Sequence, residues 1–240
     1  LHQPDNEPLE KIPDGVSLDE ALGVFGVTGM TAWFGLNEIG RPKPGDVLVV
    51  SSAGGATGSI AGQLALTAGC RVVGITSTKE KCEWLRDSLG FDAVINYTDD
   101  DWPQKLHCAC PDGIDIYFDN AGGFILDTAL GQIRDGARVV LCGGISRYNL
   151  STTPAGPGNY FNLIFRRAKM EGFIVLDYAK EFSSAISSMR PLLDSGQLKN
   201  KTTITDGFEA LPDALISLFQ GSNVGKQLVR IIAPFAQRKK

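Results

Sequence analysis

The chain has 240 residues, 43% of them apolar and 21% charged, and a formal net charge of −4, which supports a sizeable core and gives no electrostatic footing to a nucleic-acid partner. No apolar run approaches the ~20 residues of a membrane span, and the polar start, LHQPDNEPLEKIPDG, lacks the basic end and apolar core of a signal peptide. The five cysteines, at 70, 82, 108, 110 and 142, are odd in number and without framework spacing, so reduced thiols and a cytoplasmic location are expected.

A polar, Pro-rich linker at 1–16, with no initiator Met, fits a fragment or processed form. Ser17-Leu18-Asp19-Glu20 is a capping box and opens a helical stretch to about Leu36, interrupted by glycines. Val47–Ser51 reads as a buried strand, Ala56–Ala68 as a helix stopped by Gly69, and Arg71–Thr76 as a second strand. Thr78 is the candidate N-cap of a helix to Leu89, Ala93–Asn96 a short strand, and Asp101–Cys108 a helix. Strands follow at Ile114–Asp119 and Arg138–Cys142, separated by a helix at Phe124–Ile133. This alternation predicts an α/β fold, a doubly wound parallel sheet with ligands beyond the carboxyl ends of its strands.

STTPAGPGNY at 151–160 is a Gly/Pro-rich loop, followed by a helix at Phe161–Ala168, a strand at Gly172–Leu176 and a helix from about Lys180 to Asp194. From Lys201 the pattern changes to strand (Thr202–Thr205), helix (Leu211–Gln220) and strand (Gln227–Ile232), an appendage to the parallel sheet, ending in a tail at 234–240. The basic pairs at Arg166-Arg167 and Arg238-Lys239-Lys240 are too short to alter the charge argument. His107-Cys108-Ala109-Cys110 resembles half of a metal knuckle, but the only other histidine is His2, so the ligand count fails and no metal is expected.

Ala53-Gly54-Gly55-Ala56-Thr57-Gly58 is an A-x-G-x-x-G variant of the dinucleotide fingerprint, between a buried strand and a helix. Gly55 lets the backbone approach a pyrophosphate, Gly58 lets the helix pack close to the strand, and the helix N-terminus favours the anion. About 20 residues on, an NAD site needs an acid for the ribose hydroxyls. The chain has Gly74-Ile75-Thr76-Ser77-Thr78-Lys79-Glu80-Lys81 there, hydroxyls and lysines that suit a 2′-phosphate, so the expected cofactor is NADP. A short-chain dehydrogenase would need Tyr-x-x-x-Lys. The residues at that spacing from the five tyrosines are Asp101, Ala121, Thr152, Ile164 and Phe182, so that family is excluded.

With GMTAWFGL at 29–36, AGGATGS at 53–59, GFDAVINY at 90–97, FDNAGG at 118–123, CGGISRYN at 142–149, MEGFIV at 170–175 and GSNVGK at 221–226, the chain resembles the zinc-independent medium-chain dehydrogenases/reductases of the prostaglandin reductase, leukotriene B4 dehydrogenase and curcumin reductase type. The resemblance runs from about Ser17 to Ile232. It implies NADP contacts at Thr31, Gly55, Ala56, Thr57, Gly58, Lys81, Tyr97, Asn120, Cys142, Gly143, Gly144, Ile145, Ser146, Tyr148, Phe173, Ile174, Val175 and Asn223, with Lys81 and Tyr97 on the 2′-phosphate. It further implies NADPH-dependent reduction of the C=C bond of a small-molecule enone or enal, with Tyr148 donating to the carbonyl oxygen. Residues 151–160 would form a lid, and a homodimer would form through the strand at Gly172–Leu176. Residues 17–200 would be the NADP-binding domain, and 201–233 a segment returning to an N-terminal GroES-like domain that the sequence lacks. Two alternatives stay open, a catalytically inactive NADPH-binding module and a quinone reductase.

Overall fold

A computed structural model describes residues 12, 14–152 and 154–231. Most of the expected linker at 1–16 and all of the tail at 234–240, including the basic end, lie outside the described residues, as does His2.

Six parallel strands form the central sheet in the order β3-β2-β1-β4-β5-β6. They are β1 (Val47–Val50), β2 (Arg71–Thr76), β3 (Ala93–Asn96), β4 (Ile114–Asp119), β5 (Ile133–Leu141) and β6 (Lys169–Gly172). The inner strands are near-continuous apolar runs because both faces are covered. Alternate side chains feed two cores. Leu48, Val50, Val72 and Ile116 pack with the layer that holds Met30, Ile60 and Leu64, whereas Val49, Val73, Ile95 and Tyr117 pack with the layer that holds Leu106, Ile125 and Leu130. Chain order reverses direction between β1 and β4, the topological switch point at which doubly wound sheets open a ligand crevice.

Among the described residues helices α1 (Leu18–Leu22) and α2 (Val27–Phe34) come first, and α2 continues as a wider turn at Gly35–Gly40 until Arg41 adopts a left-handed conformation. The capping box forms as expected, with the Ser17 N–H bonded to the Glu20 carboxylate at 2.8 Å. Helix α3 (Ala56–Thr67) turns Gly58, Ala61, Gly62 and Ala65 inward, so its backbone sits close to the sheet. Thr78 caps α4 (Lys79–Glu83), which also widens at Trp84–Ser88, and α5 (Trp102–Ala109) and α6 (Gly123–Leu130) cover the second face.

Beyond the loop after β5, α7 (Asn162–Phe165) leads to β6, and α8 (Phe182–Asp194) returns along the first face. The strand expected at Gly172–Leu176 is corrected to Lys169–Gly172. Parallel pairing with β5 runs from Arg138↔Lys169 to Leu141↔Gly172 and ends where β5 ends, and the chain from Val175 to Glu181 coils as a tight helical turn. The appendage is a separate two-stranded parallel sheet, β7 (Thr202–Asp206) and β8 (Lys226–Arg230), joined by α9 (Leu211–Phe219). No described helix is long and apolar enough to cross a membrane.

Candidate cofactor and substrate site

At the carboxyl end of β1, Ser52 takes a left-handed conformation and the chain turns into α3. The first intrahelical bond runs from Ser59 N–H to Gly55 C=O at 3.1 Å, which leaves the N–H groups of Ala56, Thr57 and Gly58 without a helical acceptor. A Cβ on Gly58 would sit 2.5 Å from the Ser52 carbonyl oxygen, so only glycine allows the turn and helix to meet this closely.

This helix start opens into a cavity of about 440 Å³ whose wall includes Gly55, Ala56, Thr76, Ser77, Lys81, Tyr97, Ile145, Ser146, Asn223 and Lys226. Among the described residues no Asp or Glu lines it, while two lysines do. Lys81 is buried, its stem lies over Gly54, and its ammonium donates to the Gly221 carbonyl at 2.6 Å. Burial holds its pKa below the ordinary lysine range, against the opposing pull of Glu80. Glycines at the helix start, N–H donors without a helical acceptor and lysines in one cavity wall are the chemistry of a site for a phosphorylated dinucleotide, and the residues present fit NADPH.

Behind the cavity lies a buried polar network. Ser51 Oγ donates to the Asp119 carboxylate at 2.9 Å and accepts from the N–H groups of Asn120 and Ala121, and the Asn120 amide donates to the Ser51 carbonyl at 2.8 Å. Tyr117 and the Gly122 N–H also donate to Asp119. Burial raises the pKa of Asp119, and these hydrogen bonds oppose the rise. The turn after β5 is stitched to the turn after β4: Cys142 and Gly143 donate to the Asp119 carbonyl, Ile145 to that of Asn120 and Ser146 to that of Ala121.

The 142–148 turn divides two spaces. Ile145 and Ser146 face the first cavity, whereas Cys142, Gly143, Gly144 and Tyr148 line a second of about 700 Å³, roofed by residues 154–157. Tyr148 is exposed, and its hydroxyl accepts from the Gly144 N–H at 3.4 Å. Burial and Asp119 push the Cys142 thiol up to about 12, so it stays protonated and is no nucleophile.

The structure gathers Gly55, Ala56, Lys81, Tyr97, Ile145, Ser146 and Asn223 around one cavity and Cys142, Gly143, Gly144 and Tyr148 around the other. Thr57 and Gly58 stay in the helix start, and Asn120 in the polar network. Thr31, Phe173, Ile174 and Val175 line neither space. Thr31 bonds back to the Val27 carbonyl within α2, and Phe173 packs edge-on against Tyr178. Sequence reasoning missed Thr28, Ser52 and Lys226, which do line the first cavity; the GSNVGK motif held the signal for Lys226.

The zinc-binding dehydrogenase family profile matches residues 56–190. Its name implies zinc, but no group of three or more His, Cys, Asp or Glu among the described residues is arranged to hold a metal, and His107 and Cys108 point to solvent. The chain is 47% identical over 230 residues to a putative NADP-dependent oxidoreductase, YfmJ, of Bacillus subtilis (strain 168), covering 94% of this chain and 68% of that protein. It is 41% identical over 227 residues to the NADP(+)-dependent 2-alkenal reductase of Nicotiana tabacum, covering 94% of this chain and 66% of that enzyme. Its fold superposes on CurA from Vibrio vulnificus, solved in complex with NADPH, with a TM-score of 0.88 at 41% identity, over 94% of this chain and 68% of that one. The chain therefore spans about two thirds of the length of these relatives. On the glycine turn, the switch-point cavity and these matches together, the chain belongs to the zinc-binding dehydrogenase family of medium-chain dehydrogenases/reductases.

Proposed function

We propose that this chain is the NADPH-binding part of a reductase that saturates the C=C bond of α,β-unsaturated ketones and aldehydes. The observation that carries the cofactor assignment is the acid-free cavity with buried Lys81 at the end of β2, where an NAD site would place a carboxylate. The likeness to a 2-alkenal reductase and to CurA with NADPH supports the reaction class.

In this reading Gly55–Gly58 present N–H groups to the pyrophosphate, and Lys81 with Tyr97 holds the 2′-phosphate. The 142–148 turn sits beside the reactive half, fixed there by its hydrogen bonds to the Asp119–Ala121 turn. The bound cofactor supplies the hydride that adds to the β-carbon. Negative charge then develops on the carbonyl oxygen, and the Tyr148 hydroxyl, which accepts from Gly144 and so keeps its own proton to give, donates to that oxygen. Solvent protonates the α-carbon. Residues 151–160 act as the lid over the larger space, which supports an enone bound next to Tyr148.

We extend the proposal to domain organisation, residues 17–200 as the cofactor domain and 201–233 as a segment that packs on a further domain, and to a cytoplasmic homodimer. The outer edge of β6, flanked by exposed Ile164, Phe165, Ile174 and Leu176, is the surface for the second copy. The deciding experiment follows NADPH absorbance against enones, enals and quinones with the chain in its whole protein. Enone turnover is expected; turnover of quinones alone would select the quinone-reductase reading, and tight NADPH binding with no turnover the inactive module.

A further inference from the structure

Lys226 opens β8 and lines the same cavity as Lys81, at the opposite end of the GSNVGK motif from Gly221, the residue that Lys81 contacts. What brings it there is a backbone contact between the two ends of the fold. The Gly225 N–H donates to the Gly54 carbonyl at 2.9 Å, and Gly225 bridges Gly55, the residue that caps α3. Gly225 has φ +70, and a Cβ there would lie 2.1 Å from the Lys201 carbonyl oxygen, so glycine is what lets the strand reach the phosphate turn.

The side chain that follows is half-buried, and among the described residues its ammonium forms no hydrogen bond or ion pair. Burial alone moves its pKa, and downward, as for a cation without an acidic neighbour. A half-buried, unpaired ammonium is unfavourable for the free protein unless an anion arrives to face it. Lys81 already has the end of the cavity next to Ser77 and Gly221, whereas Lys226 emerges one residue from the contact with Gly55, at the start of α3.

We propose that Lys226 is a second phosphate-binding cation of this cavity, dedicated to the pyrophosphate at the N-terminus of α3, while Lys81 reads the 2′-phosphate. The inference rests on the NADPH reading and adds a residue to it. Both cofactor phosphate groups then meet a lysine, and only one of the two lysines discriminates NADPH from NADH.

The test measures binding of NADPH, NADH and 2′-AMP to the full chain, by nucleotide fluorescence and calorimetry, for the wild type, Lys226→Gln, Lys226→Arg and Lys81→Ala. Lys226→Gln should weaken NADPH and NADH by the same factor, roughly tenfold or more, and leave 2′-AMP unchanged. Lys226→Arg should restore most of the affinity, and Lys81→Ala should weaken NADPH and 2′-AMP while sparing NADH. The melting temperature of ligand-free Lys226→Gln should equal or exceed that of the wild type, because an unpaired charge has gone. Should that variant fail to fold, Lys226→Met keeps the apolar stem and carries the same expectations. Tight NADPH binding by the wild type with no change in Lys226→Gln would overturn the inference and leave the proposed function standing; so would a loss confined to NADPH and 2′-AMP. A wild type that binds neither dinucleotide would overturn both.

Discussion

Lys81 illustrates how much a single position can carry when no described carboxylate shares its cavity. Its stem is packed over Gly54, and the Gly221 carbonyl it contacts is a neutral partner that a dianionic phosphate can outcompete. Replacing it with Ala should raise the dissociation constant of NADPH by roughly 10- to 100-fold and leave that of NADH unchanged in a fluorescence titration. The pH dependence follows from the same burial. Lys81 and Lys226 both have lowered pKa values, so they lose their protons at a lower pH than an exposed lysine. NADPH affinity should therefore fall as pH rises through the alkaline range, earlier than ordinary lysines would dictate. The ligand-free protein should behave oppositely, because the unfavourable buried charges disappear as pH rises through those lowered values. In the proposed mechanism the Tyr148 hydroxyl serves the reaction, and a Phe variant keeps the ring that the resemblance places on the cofactor. Tyr148→Phe should cut kcat on the order of 10²-fold in the NADPH-absorbance assay while NADPH affinity stays within error.

Among the elements, α3 decides the geometry of the site, because its start is where the sheet, the glycine turn and β8 converge. Gly58→Ala would drive a methyl against the Ser52 carbonyl oxygen and the Ala53 Cα, both backbone atoms that cannot rotate away. It should cost about 1–3 kcal/mol of stability, visible in thermal melting, and weaken NADPH through the shifted turn. The elements were largely legible before any coordinates: β1, β2, β3 and β4 match, and Ser17 and Thr78 cap the helices they were expected to cap. Residue-local signals were enough there, since apolar runs, capping hydroxyls and glycine stops act over a few positions. What failed was the strand after the lid. GFIV reads as β-branched and apolar, but strand identity on a sheet edge is set by the length of the neighbour, and β5 ends opposite Gly172. The same limit applied to the cavity wall. Ser52 and Thr28 are ordinary residues in sequence, and only the turn after β1 and the start of α2 bring them to the cavity.

Across the molecule, the crevice at the β1–β4 switch point is closed by residues from both ends of the chain, so cofactor binding should stabilise the fold as a whole. At a concentration a hundred times its dissociation constant, a ligand specific for the folded state adds about 2.7 kcal/mol. For a domain of this size that corresponds to a rise of roughly 5–10 °C in melting temperature with NADPH, and a smaller rise with the same concentration of NADH. Scanning fluorimetry checks both, and equal shifts would refute the reading of the 2′-phosphate site. The contact between Gly225 and the turn at Gly54 and Gly55 has a temporal consequence as well. On the ribosome the six-stranded sheet has all its strands once residue 172 is free, yet the wall that holds Asn223 and Lys226 forms only after a further stretch of chain has emerged. A nascent chain can thus assemble its sheet before it can capture its nucleotide.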